Sequence, residues 1–135
     1  MSDSYAALII PQNPSFSTVF DLSQPKKLST IFFRNVTNVG PPRSVYKVRV
    51  IPPRGGVTMT VKPRKLVFAE ANQKLSYTVT VTTKPMNLLP GNADTRFGFL
   101  SWTDGKHVVQ SPIAVTIYRN LISSVFLQIL YTLKI

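Results

Sequence analysis

Over residues 74–83 the side chains change character at every step: Leu75, Tyr77, Val79 and Val81 fall on one side, Ser76, Thr78, Thr80 and Thr82 on the other. An extended strand sends successive side chains to opposite faces, whereas a helix repeats about every 3.6 residues, so this stretch predicts a strand with one dry and one wet face. A half-buried strand needs hydrogen-bonded neighbours and a second layer over its dry side, so the chain has to build sheets that pack. Shorter or less regular runs of the same kind occupy 16–20, 28–36, 45–51, 57–61, 65–68, 97–102 and 106–117. In 45–51 the alternation sends Tyr46, Val48 and Val50 inward and Lys47 and Arg49 outward; in 57–61 it sends Val57, Met59 and Val61 inward. Seven or eight strands are expected.

Turn chemistry separates these runs: Asn38-Val39-Gly40-Pro41-Pro42, Pro52-Pro53-Arg54-Gly55-Gly56, Lys62-Pro63-Arg64, a long loop over 84–94, and Asp104-Gly105. Glycine reaches positive φ and proline lacks a ladder donor, so such clusters end strands. Thr103-Asp104-Gly105-Lys106, between two apolar runs, predicts a hairpin with a type I′ turn. With no helical period between residues 14 and 118, the pattern predicts an all-β antiparallel sandwich over 14–118, preceded by an N-terminal segment, 1–13. Residues 119–135 differ: Leu121, Ile122, Val125, Phe126, Ile129, Leu130 and Leu133 recur at helical spacing. The fifteen residues from 121 to 135 fall short of the ~20 that span a bilayer, which favours a tail packed on the domain or foreign to it over membrane contact.

At 135 residues the chain is one domain, and a fold of this size buries roughly 68% of its unfolded surface. Its reactive side chains are few: no Cys, one His (His107), and five acids, Asp3, Asp21, Glu70, Asp94 and Asp104. Thiolate zinc sites, disulfides and thiol nucleophiles are excluded. His107 follows a turn with no nucleophile motif near it, and Asp94 and Asp104 are separated by a strand. Gly55-Gly56 leads into a β run with no Lys-Ser or Lys-Thr after it, so it is a turn and no phosphate loop. No catalytic, cofactor-binding or metal-binding residue is assigned.

Sixteen Lys and Arg give a net charge of +11, and ten of them lie within 26–65 without a single acid. Acidic partners therefore enter the argument. Base-stacking aromatics do not alternate with these cations, which argues against nucleic acid and leaves solvated outward faces or an acidic partner. Asn35-Val36-Thr37 is an N-glycosylation sequon, meaningful in a secretory setting; Asn13-Pro14-Ser15 is disqualified by its proline. Trp102, Phe97 and Phe99 lie on one predicted strand and are expected to pack there. The first eleven residues lack the basic start of a signal peptide, so the sequence leaves localisation undetermined.

Several segments in order carry a more specific message: Pro14-Ser15-Phe16-Ser17, Arg34-Asn35-Val36-Thr37-Asn38-Val39-Gly40, Ser44-Val45-Tyr46-Lys47-Val48, Leu66-Val67-Phe68, Gln73-Lys74-Leu75-Ser76-Tyr77-Thr78-Val79, the stretch 97–109 containing Trp102-Thr103-Asp104-Gly105-Lys106-His107, and Ser111-Pro112-Ile113-Ala114-Val115. Together they resemble the C-terminal fibronectin type III-like domain of plant subtilisin-like serine proteases over 14–118. The resemblance implies a fibronectin type III-like sandwich in which Asn38, Gly40, Tyr46, Pro63, Phe68, Tyr77, Trp102, Asp104, Gly105 and Pro112 are structural positions. It also implies a non-catalytic domain whose partner is the subtilase catalytic domain, in enzymes that are secreted, and no cofactor.

The chain departs from that family in having Ile10-Pro11-Gln12-Asn13 where Asp-Leu-Asn-Tyr is usual, in lacking the prodomain and the Asp/His/Ser protease domain, and in its tail. His107 matches a position of the accessory domain and no triad member. The leading expectation is thus an accessory-domain product without hydrolytic activity. It should present an apolar patch to which the tail adds. Two alternatives are a membrane-tethered interaction module, similar in layout to major sperm protein-like domains with a C-terminal anchor, and a binder of acidic polysaccharide through 26–65.

Overall fold

The computed structural model describes residues 8–9, 15–24, 26–121 and 132–133. Their backbone forms nine strands: β1 (Leu8–Ile9), β2 (Phe16–Asp21), β3 (Leu28–Asn38), β4 (Ser44–Ile51), β5 (Val57–Lys62), β6 (Lys65–Phe68), β7 (Lys74–Thr83), β8 (Ala93–Thr103) and β9 (Val108–Tyr118). One sheet has the order β1-β3-β7-β5, the other β2-β9-β8-β4-β6. Neighbours are antiparallel except β2 and β9, which run parallel with Phe16 opposite Ile113 and Asp21 opposite Tyr118. The all-β sandwich expected from the alternation is the fold observed.

The same alternation places the core. Tyr77, Val79 and Val81 of β7 are buried against Tyr46, Leu100, Trp102, Ile113 and Val115 of the facing sheet. Aromatic pairs tie the layers together edge to face: Tyr77 with Trp102 at 5.2 Å between ring centres, and Phe16 with Phe32 at 5.3 Å. Within the five-stranded sheet Tyr46 meets Phe68 at 6.0 Å. Such contacts add about 0.5–1.5 kcal/mol each beyond the area they bury. Gly98 sits where the chain leaving β4 folds over β8. A methyl group there would collide with the Ile51 carbonyl oxygen and stand 2.8 Å from the Pro53 nitrogen and Cδ, so only glycine fits between Phe97 and Phe99.

Besides the parallel β2–β9 pair in a sandwich expected to be antiparallel, three details differ from the sequence expectation. The strand count rises to nine because two residues, Leu8 and Ile9, pair with Asn38 and Thr37, too short a run to show a period. Strand β8 begins at Ala93, inside the span expected to be loop, because Asp94 to Arg96 pair with β9 although they carry no apolar alternation. The β8–β9 hairpin is present, but its loop holds four residues between Thr103 and Val108, and positive φ is found at Gly105 alone, not at Asp104 as type I′ requires. Hydrogen bonds to the sandwich continue past β9, from the Arg119 amide to the Asn92 carbonyl at 3.1 Å and from the Gly91 amide to the Arg119 carbonyl at 2.9 Å.

Candidate functional site

The acid and imidazole that sequence places near each other do meet. Asp104 Oδ2 lies 2.9 Å from His107 Nδ1, and Oδ1 accepts the backbone amides of Lys106 at 2.9 Å and His107 at 2.6 Å. Burial opposes ionisation of Asp104, yet the donors from His107 and Lys106 and the charge of His107 win, and its pKa falls to about 2. Close by, Tyr46 Oη is buried without a well-formed hydrogen bond. Burial first, then the Asp104 carboxylate, pushes its pKa up to about 12, so the phenol keeps its proton. All the donors Asp104 accepts belong to its own loop, which makes the cluster a turn clamp.

Two further polar clusters are built into the frame. Asn38, fully buried at the end of β3, donates from Nδ2 to the carbonyls of Pro41 at 2.9 Å and Glu70 at 3.3 Å and accepts the Gly40 amide on Oδ1 at 3.1 Å. It joins the β3–β4 turn to the β6–β7 turn. Arg34 shares its face with Phe32 and Val36 and points into the sandwich, its guanidinium carbon 4.6 Å from the Phe16 ring centre and 5.5 Å from that of Phe32. Thus one of the ten cations of 26–65 is structural. Beside it, burial raises the pKa of Tyr77, partly countered by the Trp102 indole and the Arg34 charge.

The outer faces of the two sheets are unlike. On the four-stranded sheet, Ser29, Ser76, Thr78, Thr80 and Thr82 dominate; Ser29 bonds to Thr82 at 3.1 Å and Ser76 donates to Asn35 at 2.7 Å. Ile31 and Phe33 on β3 are its exposed large apolar side chains. The five-stranded sheet exposes Val19, Val45, Ile51, Val67, Phe97, Phe99 and Val108. The register makes part of this set continuous: Ile51, Phe99 and Pro112 stand side by side across β4, β8 and β9, with Phe97 and Ala114 in the next row. Phe97 and Phe99, expected to pack, are instead 67% and 40% exposed, while Trp102 is fully buried. Parity carried that signal, since odd positions of β8 must point away from Leu100 and Trp102.

Cations border this apolar band. Arg49 pairs across to Ser101 in the row beyond Phe99, and Lys47 lies directly opposite Lys65 on β6. On the other side, Arg54, Arg96 and Phe97 help line an open groove of about 580 Å³. Arg96 is held by Asp94 at 2.9 Å and by the carbonyls of Arg54 and Gly55. Among the described residues the ion pairs are Arg96 with Asp94 and His107 with Asp104, so Lys47, Arg49, Arg54 and Lys65 face solvent without a carboxylate.

The structural positions named from the sequence do not form one site. Tyr46, Phe68, Tyr77 and Trp102 are core; Gly40 and Gly105 are in turns; Pro63 follows a cis peptide bond in the exposed β5–β6 turn; Pro112 is on the outer band. Asn35 is exposed on β3. Among the described residues no three potential metal ligands gather, and no helix is long and apolar enough to cross a membrane. The tail's helical pattern over 122–131 and its last two residues lie outside the described residues.

Comparison with known proteins bears on what this frame is for. Residues 12–115 match the fibronectin type-III domain family. The subtilisin-like protease SBT1.5 of Arabidopsis thaliana is 47% identical over 108 residues, covering 80% of this chain, and SBT1.6 of the same plant is 46% identical over 104 residues, covering 76%. This chain spans 14% of the length of either. Among solved structures, the CooA pilin subunit of enterotoxigenic Escherichia coli superposes with a TM-score of 0.58 at 11% identity, covering 84% of this chain and 99% of that one. A PapD-like domain of human CEP192 does so at 0.52 and 13% identity, covering 88% and 89%. Those two likenesses speak to the fold alone.

Proposed function

Since the chain belongs to the fibronectin type-III domain family, in the form found in plant subtilisin-like proteases, we propose that it is a non-catalytic accessory domain that packs against a subtilisin-like protease domain and stabilises it. The observation that carries this reading is the identity to SBT1.5, which takes in most of this chain and a small part of that protease. The chemistry of the chain agrees with it: the Asp104 and His107 side chains serve a turn, and Arg34, Tyr77 and Trp102 serve the interior. The family matched over 12–115 is the fibronectin type-III domain, and on this reading peptide hydrolysis is not expected of the chain by itself.

The test is complementation. The protease part of a plant subtilisin-like relative, produced without its own fibronectin type-III domain, is secreted from cells with and without this chain, and active enzyme in the medium is measured. Recovery of activity that depends on this chain supports the reading; unchanged activity contradicts it. If the setting is secretory, Asn35 is expected to carry a glycan, its side chain being exposed with its carbonyl bonded to Ser76. A mobility shift lost in Asn35→Gln would mark it.

A further inference from the structure

We propose that the outer face of the five-stranded sheet is the surface that docks on the protease domain, and that its counterpart there is an apolar patch edged with carboxylates. This rests on the accessory-domain reading and adds to it which face is used and what chemistry it meets.

Three observations on the molecule lead to it. The first is the contrast between faces. Strands need β-forming residues on both sides, and threonine supplies that preference without exposing much apolar area, which is how the four-stranded sheet is finished. The five-stranded sheet carries Ile51, Phe97, Phe99 and Pro112 in contact rows where threonine would have served the strand equally well. Contiguous exposed apolar rows rimmed by polar groups mark interaction surfaces.

The second observation is Lys47 opposite Lys65. Like charges directly across an antiparallel pair destabilise the sheet, and neither lysine has a carboxylate neighbour among the described residues. With Arg49 one row away and Arg54 beyond the other edge of the band, the cations stand around the apolar rows. An acidic rim on the partner would relieve the repulsion and set the register of docking.

The third is attachment. In the relatives the matching stretch is 14% of one longer chain, so the partner surface is held at high effective concentration and a modest face suffices to stay docked. The β3 edge with Ile31 and Phe33 is the competing surface, but its neighbours are hydroxyl and amide side chains, with Ser29 bonded to Thr82 and Asn35 to Ser76, and among the described residues no two cations stand opposite each other on it.

The experiment uses the full 135-residue chain, fluorescently labelled, titrated with the protease part of a relative made without its own fibronectin type-III domain. Phe97→Thr with Phe99→Thr is expected to weaken binding at least tenfold with the thermal midpoint nearly unchanged, because both rings are exposed. Ile31→Thr with Phe33→Thr should bind as the unaltered chain does. Lys65→Glu should raise the midpoint by about 2 °C, by turning a like-charge pair into an attractive one, while weakening binding and flattening its salt dependence. Equal binding by the Phe97/Phe99 variant, or loss confined to the Ile31/Phe33 variant, overturns the choice of face and leaves the accessory-domain reading standing. No binding by the unaltered chain overturns both.

Discussion

Strands β7 and β8 both bury every second residue where they cross the core, yet β7 turns Ser76, Thr78, Thr80 and Thr82 outward where β8 turns Phe97 and Phe99. Inside, the two strands meet: Tyr77 of one packs on Trp102 of the other. The difference therefore lies wholly in what each sheet leaves outside. Alternation decides which residues enter the core, because a side chain one step along must cross the sheet. It does not decide what the outer face is for. That information is in the identity of the outward residues, and here the two faces differ: hydrogen-bonded hydroxyls on one, apolar rows with uncompensated cations on the other.

The greatest loss is expected in the core that the two sheets share. Trp102→Ala removes the most voluminous fully buried side chain and leaves Tyr77 without its ring partner. It should destabilise the fold by about 3–5 kcal/mol, lowering the thermal midpoint by on the order of 10–15 °C, whereas Phe97→Thr five residues earlier should change stability by less than about 0.5 kcal/mol. Similar losses from the two would mean that the outward assignment of Phe97 is wrong. Next in size is Asn38→Ala, which leaves the buried Gly40 amide and the Glu70 carbonyl without their side-chain partner, while the Pro41 carbonyl keeps the Ser44 hydroxyl, and should cost about 2–3 kcal/mol by denaturant titration.

How much of this was legible beforehand differs by region. Residues 74–83 state their strand fully, and β5 and β6 are bounded by turn residues that sequence names. Which sheet each strand joins was not legible. Every connection except β8 to β9 crosses from one sheet to the other, so most pairings are between segments far apart in sequence, and local pattern carries no address for them. Arg34 shows a second limit: its parity with Phe32 and Val36 sent it inward, while its charge suggested the surface, and the Phe16 and Phe32 rings resolve the conflict. The docking rows were hidden for a related reason, since Ile51, Phe99 and Pro112 become neighbours only once β4, β8 and β9 are in register.

A smaller effect sharpens the picture at the end of the five-stranded sheet. Asp104 has its pKa lowered from 3.8 to about 2. Folding therefore favours its ionised form, a contribution complete above pH 4 and lost as pH falls toward 2. The thermal midpoint should drop over that window, and Asp104→Asn should flatten the drop while lowering the midpoint at neutral pH. An unchanged acid profile in the variant would remove Asp104 as its cause. The smallest effect is expected just past β9: Arg119→Ala, which removes the side-chain bond to the Leu88 carbonyl and keeps the backbone bonds to Asn92 and Gly91, should lower the midpoint by about 2 °C. An unchanged midpoint would remove that bond as a contributor.

The most direct measurement places a photo-crosslinking benzoylphenylalanine at Phe99 in one sample and at Phe33 in another, each irradiated with the protease part of a relative lacking its own fibronectin type-III domain. Both positions are phenylalanines on outer sheet faces, so the probe enlarges a ring already outside the core at each, and matched thermal midpoints of the two samples confirm that it is tolerated. Covalent capture from position 99 and none from position 33 is the result this account requires. Capture from position 33 with none from position 99 would contradict the docking face, and none from either would contradict the accessory role itself.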